Sequence, residues 1–328
     1  MKRTDIFKKF NDLRVLVIGD VMIDRYLTGK VERISPEAPV PIVNLLDAEN
    51  RLGGAANVAL NLKALGATPI LCSVIGKDEE GAIFLRILQE NELVADGIFQ
   101  SEERRTTVKS RVIAGNQHLL RMDSEDSHDL SAKEAAKLWD GLQDLFKSQK
   151  IDVLLLQDYN KGVLTKSVIH IAMVMATQHN IPTIVDPKFS NFWSYQNVTL
   201  FKPNLKEVEA ALQRKVMPDL ENLKQASLEM RQKLKNKYSL ITLSEKGVFV
   251  DDGEEAVIIP THPRSIADVC GAGDTVVSVA ALGLALGIDI QLIAKMANLA
   301  GGQVCEKIGV VTVDKVVLEM EMVVLKLE

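Results

Sequence analysis

Along the chain, short continuous apolar runs alternate with stretches whose apolar residues recur every three or four positions. RVLVIG (14–19) predicts a buried strand followed by a polar loop, ANVALNLKAL (56–65) a helix, TPILCSVIG (68–76) a strand, and Glu79 to Glu90 a helix. Further on, DVLLLQ (152–157), PTIVD (182–186) and VTLFK (198–202) predict strands, with a helix from Ser167 to Gln178 between the first two. Continuous apolar runs are what parallel strands need when both faces are covered, and the helices between them supply right-handed crossovers. The expectation is an α/β fold built on a doubly wound, mostly parallel sheet.

Two segments break the alternation. Arg25 to Leu46 and Thr106 to Met122 read as extended, β-branched chain with no helix separating their neighbours. Such strands do not join a parallel sheet in sequence order. They predict a small β-sheet lid over the ligand edge, ordinary loops being the alternative. No internal repeat, low-complexity tract or linker interrupts the chain, so residues 1–328 are expected to form a single domain with this lid.

Composition changes this picture little. Of the 328 residues 47% are hydrophobic and 25% charged, and the net charge is −5, which suits a soluble globular protein. No basic block points to nucleic acid. Met1 to Phe10 mixes Lys, Arg and Asp without an apolar core, and Thr275 to Ile288 is too short and glycine-broken to span a membrane. Cys72, Cys270 and Cys305 form neither a disulfide framework nor a zinc pattern, and Cys72 and Cys305 stand in apolar surroundings. A cytoplasmic protein is expected.

Candidate chemistry concentrates in three glycine- or aspartate-bearing motifs. In Asp268 to Thr275 (DVCGAGDT), Gly271, Ala272 and Gly273 are small enough for close backbone approach to a ligand, and an apolar helix follows. Amide groups at such a helix start form an anion site, and Asp274 inside it is placed to take a proton from an attacking hydroxyl. The plainer alternative is an aspartate capping a buried helix. GGAANVA (53–59) sets Gly53, Gly54 and Asn57 at another helix start, fit to pack against and hydrogen-bond a polyol, or simply a glycine loop feeding a helix. GDVMID (19–24) puts Asp20 and Asp24 past the end of the first strand, the edge where open α/β sheets bind ligands. Each carboxylate can accept from neighbouring sugar hydroxyls, or cap a turn.

The order of these motifs, joined by Asn204 to Glu207 (N-x-x-E), resembles the ribokinase-like (PfkB) sugar kinases from about Arg14 to Thr312. That resemblance implies ATP and Mg²⁺ as cofactors, a sugar hydroxyl as acceptor, and a homodimer formed through the lid. It implies that Asp274 is the catalytic base and that Gly271, Ala272 and Gly273 form the anion hole. Asn204, Leu205, Lys206 and Glu207 would organise Mg²⁺ and the ATP phosphates, with Asn204 and Glu207 acting on the metal through water. Ser244 and Gly247 of TLSEKG (242–247), Asn298, and Lys188 after VDP would line the nucleotide site.

Within that family the chain is similar to the D-glycero-D-manno-heptose 7-phosphate kinases. GDVMIDRY (19–26), ERISPEAPVPIV (32–43), TVKSRVIAGNQHLLRMD (107–123), QDYNKGVL (157–164) and VDPK (185–188) carry the similarity. It implies phosphorylation of a heptose 7-phosphate at the anomeric hydroxyl, a step toward ADP-heptose and lipopolysaccharide. A phosphorylated acceptor calls for cations, with Lys109, Arg111 and Lys161 as candidates beside Arg104 and Arg105. Asn116 and Gln117 would reach sugar hydroxyls from the lid. Cys270 departs from the residue usual in the glycine motif. Many relatives continue into a nucleotidyltransferase, and no H-x-G-H-type motif follows here, so a separate transferase is expected. The alternatives are a related kinase for another sugar, sugar phosphate or nucleoside, and a catalytically silent binding regulator. A dehydrogenase would need G-x-G-x-x-G after the first strand, where GDVMID stands instead.

Overall fold

The computed structural model describes residues 3–115 and 117–325. Its strands in chain order are β1 (Arg14–Gly19), β2 (Val21–Ile34), β3 (Pro41–Gly54), β4 (Thr68–Gly76), β5 (Ile98–Ser101), β6 (Val108–Ala114) and β7 (Gln117–Ser124). The second half adds β8 (Val153–Gln157), β9 (Thr183–Asp186), β10 (Leu200–Phe201), β11 (Tyr238–Thr242), β12 (Val248–Asp251) and β13 (Ala256–Ile259). Nine of them make one sheet in the order β13-β12-β11-β10-β9-β8-β1-β4-β5. It is parallel from β11 to β5, and β12 and β13 extend it antiparallel at one edge.

Period-two alternation explains why these strands are apolar throughout. Val15 and Val17 face one core layer and Leu16 and Ile18 the other, while Val153 and Leu155 divide from Leu154 and Leu156 in the same way. The crossover helices start on local caps. Asp78 accepts from the Gly81 amide at 2.7 Å to open Glu79–Glu90, and Thr165 accepts from Val168 at 3.2 Å to open Lys166–Gln178. Helix Ala272–Ala285 is buried from Asp274 to Leu284, and it packs between helices Ala55–Ala64 and Ile290–Val304.

The lid exists, as a separate four-stranded sheet in the order β3-β2-β6-β7. It is larger than the sequence suggests, and no polar loop follows β1. After the single residue Asp20 the chain turns directly into β2, which pairs with β3 from Val21–Gly54 out to Ile34–Pro41. This continuous hairpin forms because both strand ends nearest the body are buried, so pairing starts there instead of at Arg25. VTLFK contributes only Leu200 and Phe201 to the sheet, because Lys202 already turns toward the ligand edge to pair with Asp186.

Candidate active site

Gly271 precedes helix Ala272–Ala285 with φ 78, a left-handed conformation that favours glycine, and a Cβ there would come within 3.0 Å of the Asn57 amide nitrogen. Asp274 lies in the first turn of that helix, where the macrodipole favours negative charge. Its carboxylate is 4% exposed and held by three side chains. Asn57 Nδ2 donates to Oδ2 at 2.7 Å, while the Tyr159 hydroxyl and Gln157 Nε2 donate to Oδ1 at 2.7 and 3.2 Å. Burial pushes the Asp274 carboxyl up to about 6; the Asn57 and Tyr159 hydrogen bonds oppose the rise, and the charge of Asp186 adds to it. The group is therefore ionised at neutral pH yet basic enough to accept a proton.

The surrounding side chains fix this arrangement. Asn57 is itself held by Asn61 Nδ2, which donates to its carbonyl at 3.0 Å and to its Oδ1 at 3.3 Å. Asn61 Oδ1 accepts from Thr275 Oγ1 and from the Val313 amide, both at 3.1 Å. Gln157 also donates to Asp186, at 3.2 Å, and Asp186 pairs with Lys202 at 3.0 Å. A Cβ on Gly273 would stand 3.9 Å from both Asp186 Oδ2 and Lys202 Nζ, so the start of the helix lies against this pair.

Asp20 and Asn57 do different work from that expected of them. Asp20 is 1% exposed, and its two oxygens accept the amides of Tyr159, Lys161 and Val163 at 2.7, 3.1 and 3.0 Å. Burial, with the neighbouring charge of Asp158, pushes the Asp20 carboxyl up to about 6 against those three amides. Both residues thus hold protein groups, Asp20 the loop that carries Tyr159 and Asn57 the Asp274 carboxylate. Gly54, at φ 60, brings the end of β3 against the Asp20 carbonyl, where a Cβ would collide. Gly53 leaves room for the Asp24 carboxylate in the same way.

Asp24 faces the site from the lid and is ion-paired with Arg111. Arg51 and Arg111 flank the Tyr26 ring at 4.8 and 5.3 Å, and Arg51 donates to the Val310 carbonyl at 3.1 Å. Lys109 and Lys161 converge on Glu125 at 3.0 and 2.6 Å. Arg104 is buried in the body and donates to the carbonyls of Lys161 and His128 at 3.0 and 2.8 Å, while Arg105 pairs with Asp126 at 3.4 Å. Neither joins the lysine cluster. Gln117 is exposed at the start of β7, and Asn116 lies outside the described residues. Cys270 is partly buried; burial and Asp268 push its thiol up to about 11, which favours the protonated thiol at neutral pH.

On the other side of Asp274, Asn204 and Glu207 form a capping box for helix Leu205–Leu212. Glu207 accepts the Asn204 amide at 2.8 Å and returns its own amide to Asn204 Oδ1 at 2.9 Å. Glu207 is also ion-paired with Lys188, whose ammonium lies 5.5 Å from the Tyr159 ring centre. Leu205 is partly buried and Lys206 exposed. Asn204 bridges Thr242 at the end of β11, just before Ser244. Gly247, at φ 97, packs against the Ile259 carbonyl, and Asn298 donates to the Pro260 carbonyl at 2.8 Å, so both hold the same segment.

Among the described residues no group of three or more His, Cys, Asp or Glu side chains is arranged to hold a metal directly. Asp186 and Glu207 are occupied by lysines and amides, whereas Gln157 Oε1 is buried without a partner among the described residues. This donor set fits a Mg²⁺ held by phosphate and water and touched by the protein through that water. Sequence reasoning missed Gln157, Tyr159, Asp186 and Lys202 as site residues. All four lie at or within two residues of the C-terminal ends of β8, β9 and β10, and that position is the signal for them.

Residues 12–315 match the family model described as "pfkB family carbohydrate kinase". The chain is 41% identical over 317 residues to "Bifunctional protein HldE" of Citrifermentans bemidjiense, and 43% identical over 309 residues to the protein of that name from Sulfurimonas denitrificans. The alignments cover 95% and 94% of this chain, and the chain spans 64% of the length of each relative. Among solved structures, phosphofructokinase-2 from Escherichia coli in complex with potassium superposes with a TM-score of 0.79 at 17% identity, covering 96% of this chain and 99% of the other. Arabidopsis thaliana ribokinase complexed with ribose and ATP gives 0.71 at 16%, covering 94% and 98%. The fold is thus ribokinase-like, and the chain belongs to the pfkB family of carbohydrate kinases, phosphotransferases that use an alcohol group as acceptor.

Proposed function

We propose that this kinase transfers the γ-phosphoryl group of ATP to the anomeric hydroxyl of D-glycero-D-manno-heptose 7-phosphate, with Asp274 as the base. The observation that carries the reading is the Asp274 carboxylate, buried at a helix start and oriented by Asn57, Tyr159 and Gln157. The heptose assignment draws support from the sequence similarity described above and from relatives of about 40% identity that bear the name HldE.

The chain's own groups divide the work. Asp24, Gly53, Gly54 and the inner lid hold the sugar, with Gln117 at the lid turn. Lys109, Arg111 and Lys161 supply positive charge for the acceptor's own phosphate. Asp274 takes the hydroxyl proton, while the amides of Gly271 to Gly273 and the helix dipole stabilise charge on the transferring phosphoryl group. Lys188 and Lys202 place ammonium groups on the nucleotide side, where Ser244, Gly247 and Asn298 frame the nucleotide. Mg²⁺, when bound, neutralises phosphate charge, and Asn204 and Glu207 would hold it through water. Closure of the lid excludes water that would compete as acceptor. The exposed Leu45, Leu46, Leu120 and Met122 on the lid support pairing of two copies through it. A separate nucleotidyltransferase would then act on the product.

The test is ADP release from ATP and Mg²⁺ against heptose 7-phosphate, sedoheptulose 7-phosphate, fructose 6-phosphate, fructose, ribose and adenosine. Turnover confined to the heptose phosphate is the expected result. Preference for another member would remove the substrate assignment and leave Asp274 and the family unaffected.

A further inference from the structure

Lys109 and Lys161 approach the mouth of the site from two directions, one from lid strand β6 and the other from the loop after β8. Their ammonium groups meet on one carboxylate. Glu125 Oε2 lies 3.0 Å from Lys109 Nζ, and Oε1 lies 2.6 Å from Lys161 Nζ. Lys109 also pairs with Asp123 at 2.9 Å, but Asp123 is shared with Arg121 at 3.0 Å. The side chains of the bridge are mostly covered, at 15%, 16% and 24% exposure for Lys109, Lys161 and Glu125. Two ammonium groups drawn together in this way repel each other unless an anion stands between them.

The bridge adjoins the chemistry on both sides. Lys161 shares its loop with Tyr159, whose hydroxyl holds Asp274, and Asp20 Oδ2 accepts the amides of both residues. Lys109 stands opposite Asp24 in the lid register, and Asp24 is paired with Arg111. A carboxylate presents two oxygens on one centre to the two lysines. A phosphate monoester presents three and carries up to two negative charges, so it meets the same donors more strongly.

We propose that Glu125 is an internal stand-in for the acceptor's phosphate: it occupies the phosphate subsite in the ligand-free protein and gives up Lys109 and Lys161 when a phosphorylated acceptor enters. The inference rests on the reading that the acceptor is a sugar phosphate. It makes Glu125 a specificity-determining residue. A neutral sugar has nothing with which to displace the carboxylate, whereas a phosphate dianion does, so the contact selects by competition.

The probe is inorganic phosphate, titrated calorimetrically into the full chain while a saturating non-hydrolysable ATP analogue fills the nucleotide side. Glu125→Gln is expected to bind phosphate about tenfold more tightly than the unsubstituted protein, corresponding to the loss of about 1.4 kcal/mol of competition. Lys109→Met and Lys161→Met are expected to lose the phosphate signal. Equal or weaker binding by Glu125→Gln would overturn the proposal, because Glu125 would then be a buttress for the lysines. Wild-type binding by both lysine variants would overturn it as well. Glu125→Ala in the same titration gives the same ordering should the glutamine variant fold poorly. A kinetic arm compares KM for a sugar phosphate with KM for its unphosphorylated counterpart, and Glu125→Gln is expected to lower the first relative to the second. The expected ordering of phosphate binding, found together with no turnover of the heptose phosphate, would uphold the role of Glu125 and remove the heptose reading alone.

Discussion

The base cluster and the lid are built on opposite principles. Asp274 sits at the start of a buried helix, and the side chains that orient it are far away in sequence: Asn57 is 217 residues distant and Tyr159 is 115. The lid is a single sheet whose buried residues lie toward the body end, in the first parts of β2 and β6 and the last part of β3; outward from there β3 and β7 are largely exposed. Its polar groups pair mainly with one another, as Arg111 does with Asp24 and Lys109 with Asp123. The difference teaches where each property resides. On the proposed reading, the proton acceptor is held by a buried interior, and acceptor choice is left to a surface that can vary without loss of the core.

That contrast can be tested hardest at the base. Asp274→Asn is expected to lower kcat by about 10²–10⁴-fold, the usual worth of a positioned base. Thermal unfolding should not fall with it at neutral pH. The sign follows from the raised carboxyl: a folded value of about 6 against an ordinary 3.8 means that the native state favours the protonated form. That stabilisation is complete below the ordinary value and is lost as pH rises through about 6. The asparagine variant should therefore gain stability relative to the wild type between pH 4 and pH 7, by an amount on the order of 3 kcal/mol at most. Unfolding curves across that range that keep the two proteins in constant relation would refute the buried, proton-favouring account of Asp274.

Tyr159→Phe should have the next largest effect, a fall in kcat of about tenfold together with a displaced pH profile. Its hydroxyl lowers the Asp274 value, so its removal raises that value. The acid limb of kcat/KM, expected near pH 6 in the wild type, should move to higher pH. A lower rate with an unmoved limb would make Tyr159 a packing residue only. In the lid the split should reverse. Arg111→Ala is expected to raise KM for the acceptor about tenfold while changing kcat less, because it alters binding and leaves the base cluster in place. The smallest effect belongs to the outer lid: Leu120→Ser should shift the stability of the single chain within about 0.5 kcal/mol, as for an exposed side chain. A large loss there would show that the lid contributes to the core, and sedimentation of the same variant reports whether the leucine joins two copies.

Much of this was legible in the sequence where its signal was local. The strands RVLVIG and TPILCSVIG and the helix from Glu79 to Glu90 occur with the expected bounds, because continuous apolar runs and the helical spacing of apolar residues are read over a few neighbouring residues. The contiguous Gly271–Asp274 segment likewise announces small residues before a buried helix, which is where helix Ala272–Ala285 starts. Gln157, Tyr159, Asp186 and Lys202 were not legible as a group. Each is an unremarkable polar residue at the end of an apolar run, and their meeting depends on the order β10-β9-β8-β1. Asp20 and Asn57 were legible as site residues, but their hydrogen-bond partners were not, since a carboxylate suited to sugar hydroxyls is equally suited to three backbone amides.

By itself, then, the sequence determined the layered α/β architecture, the presence of a lid and the family, and it singled out Asp274 as the candidate base, because periodicity, glycine chemistry and motif order are properties of near neighbours. Only the tertiary structure decided what surrounds the base, how Asp20 and Asn57 are spent, and that two lysines from separate elements share Glu125. Those are contacts between residues brought together by strand order and burial, and burial is also what lifts the Asp274 carboxyl toward neutrality.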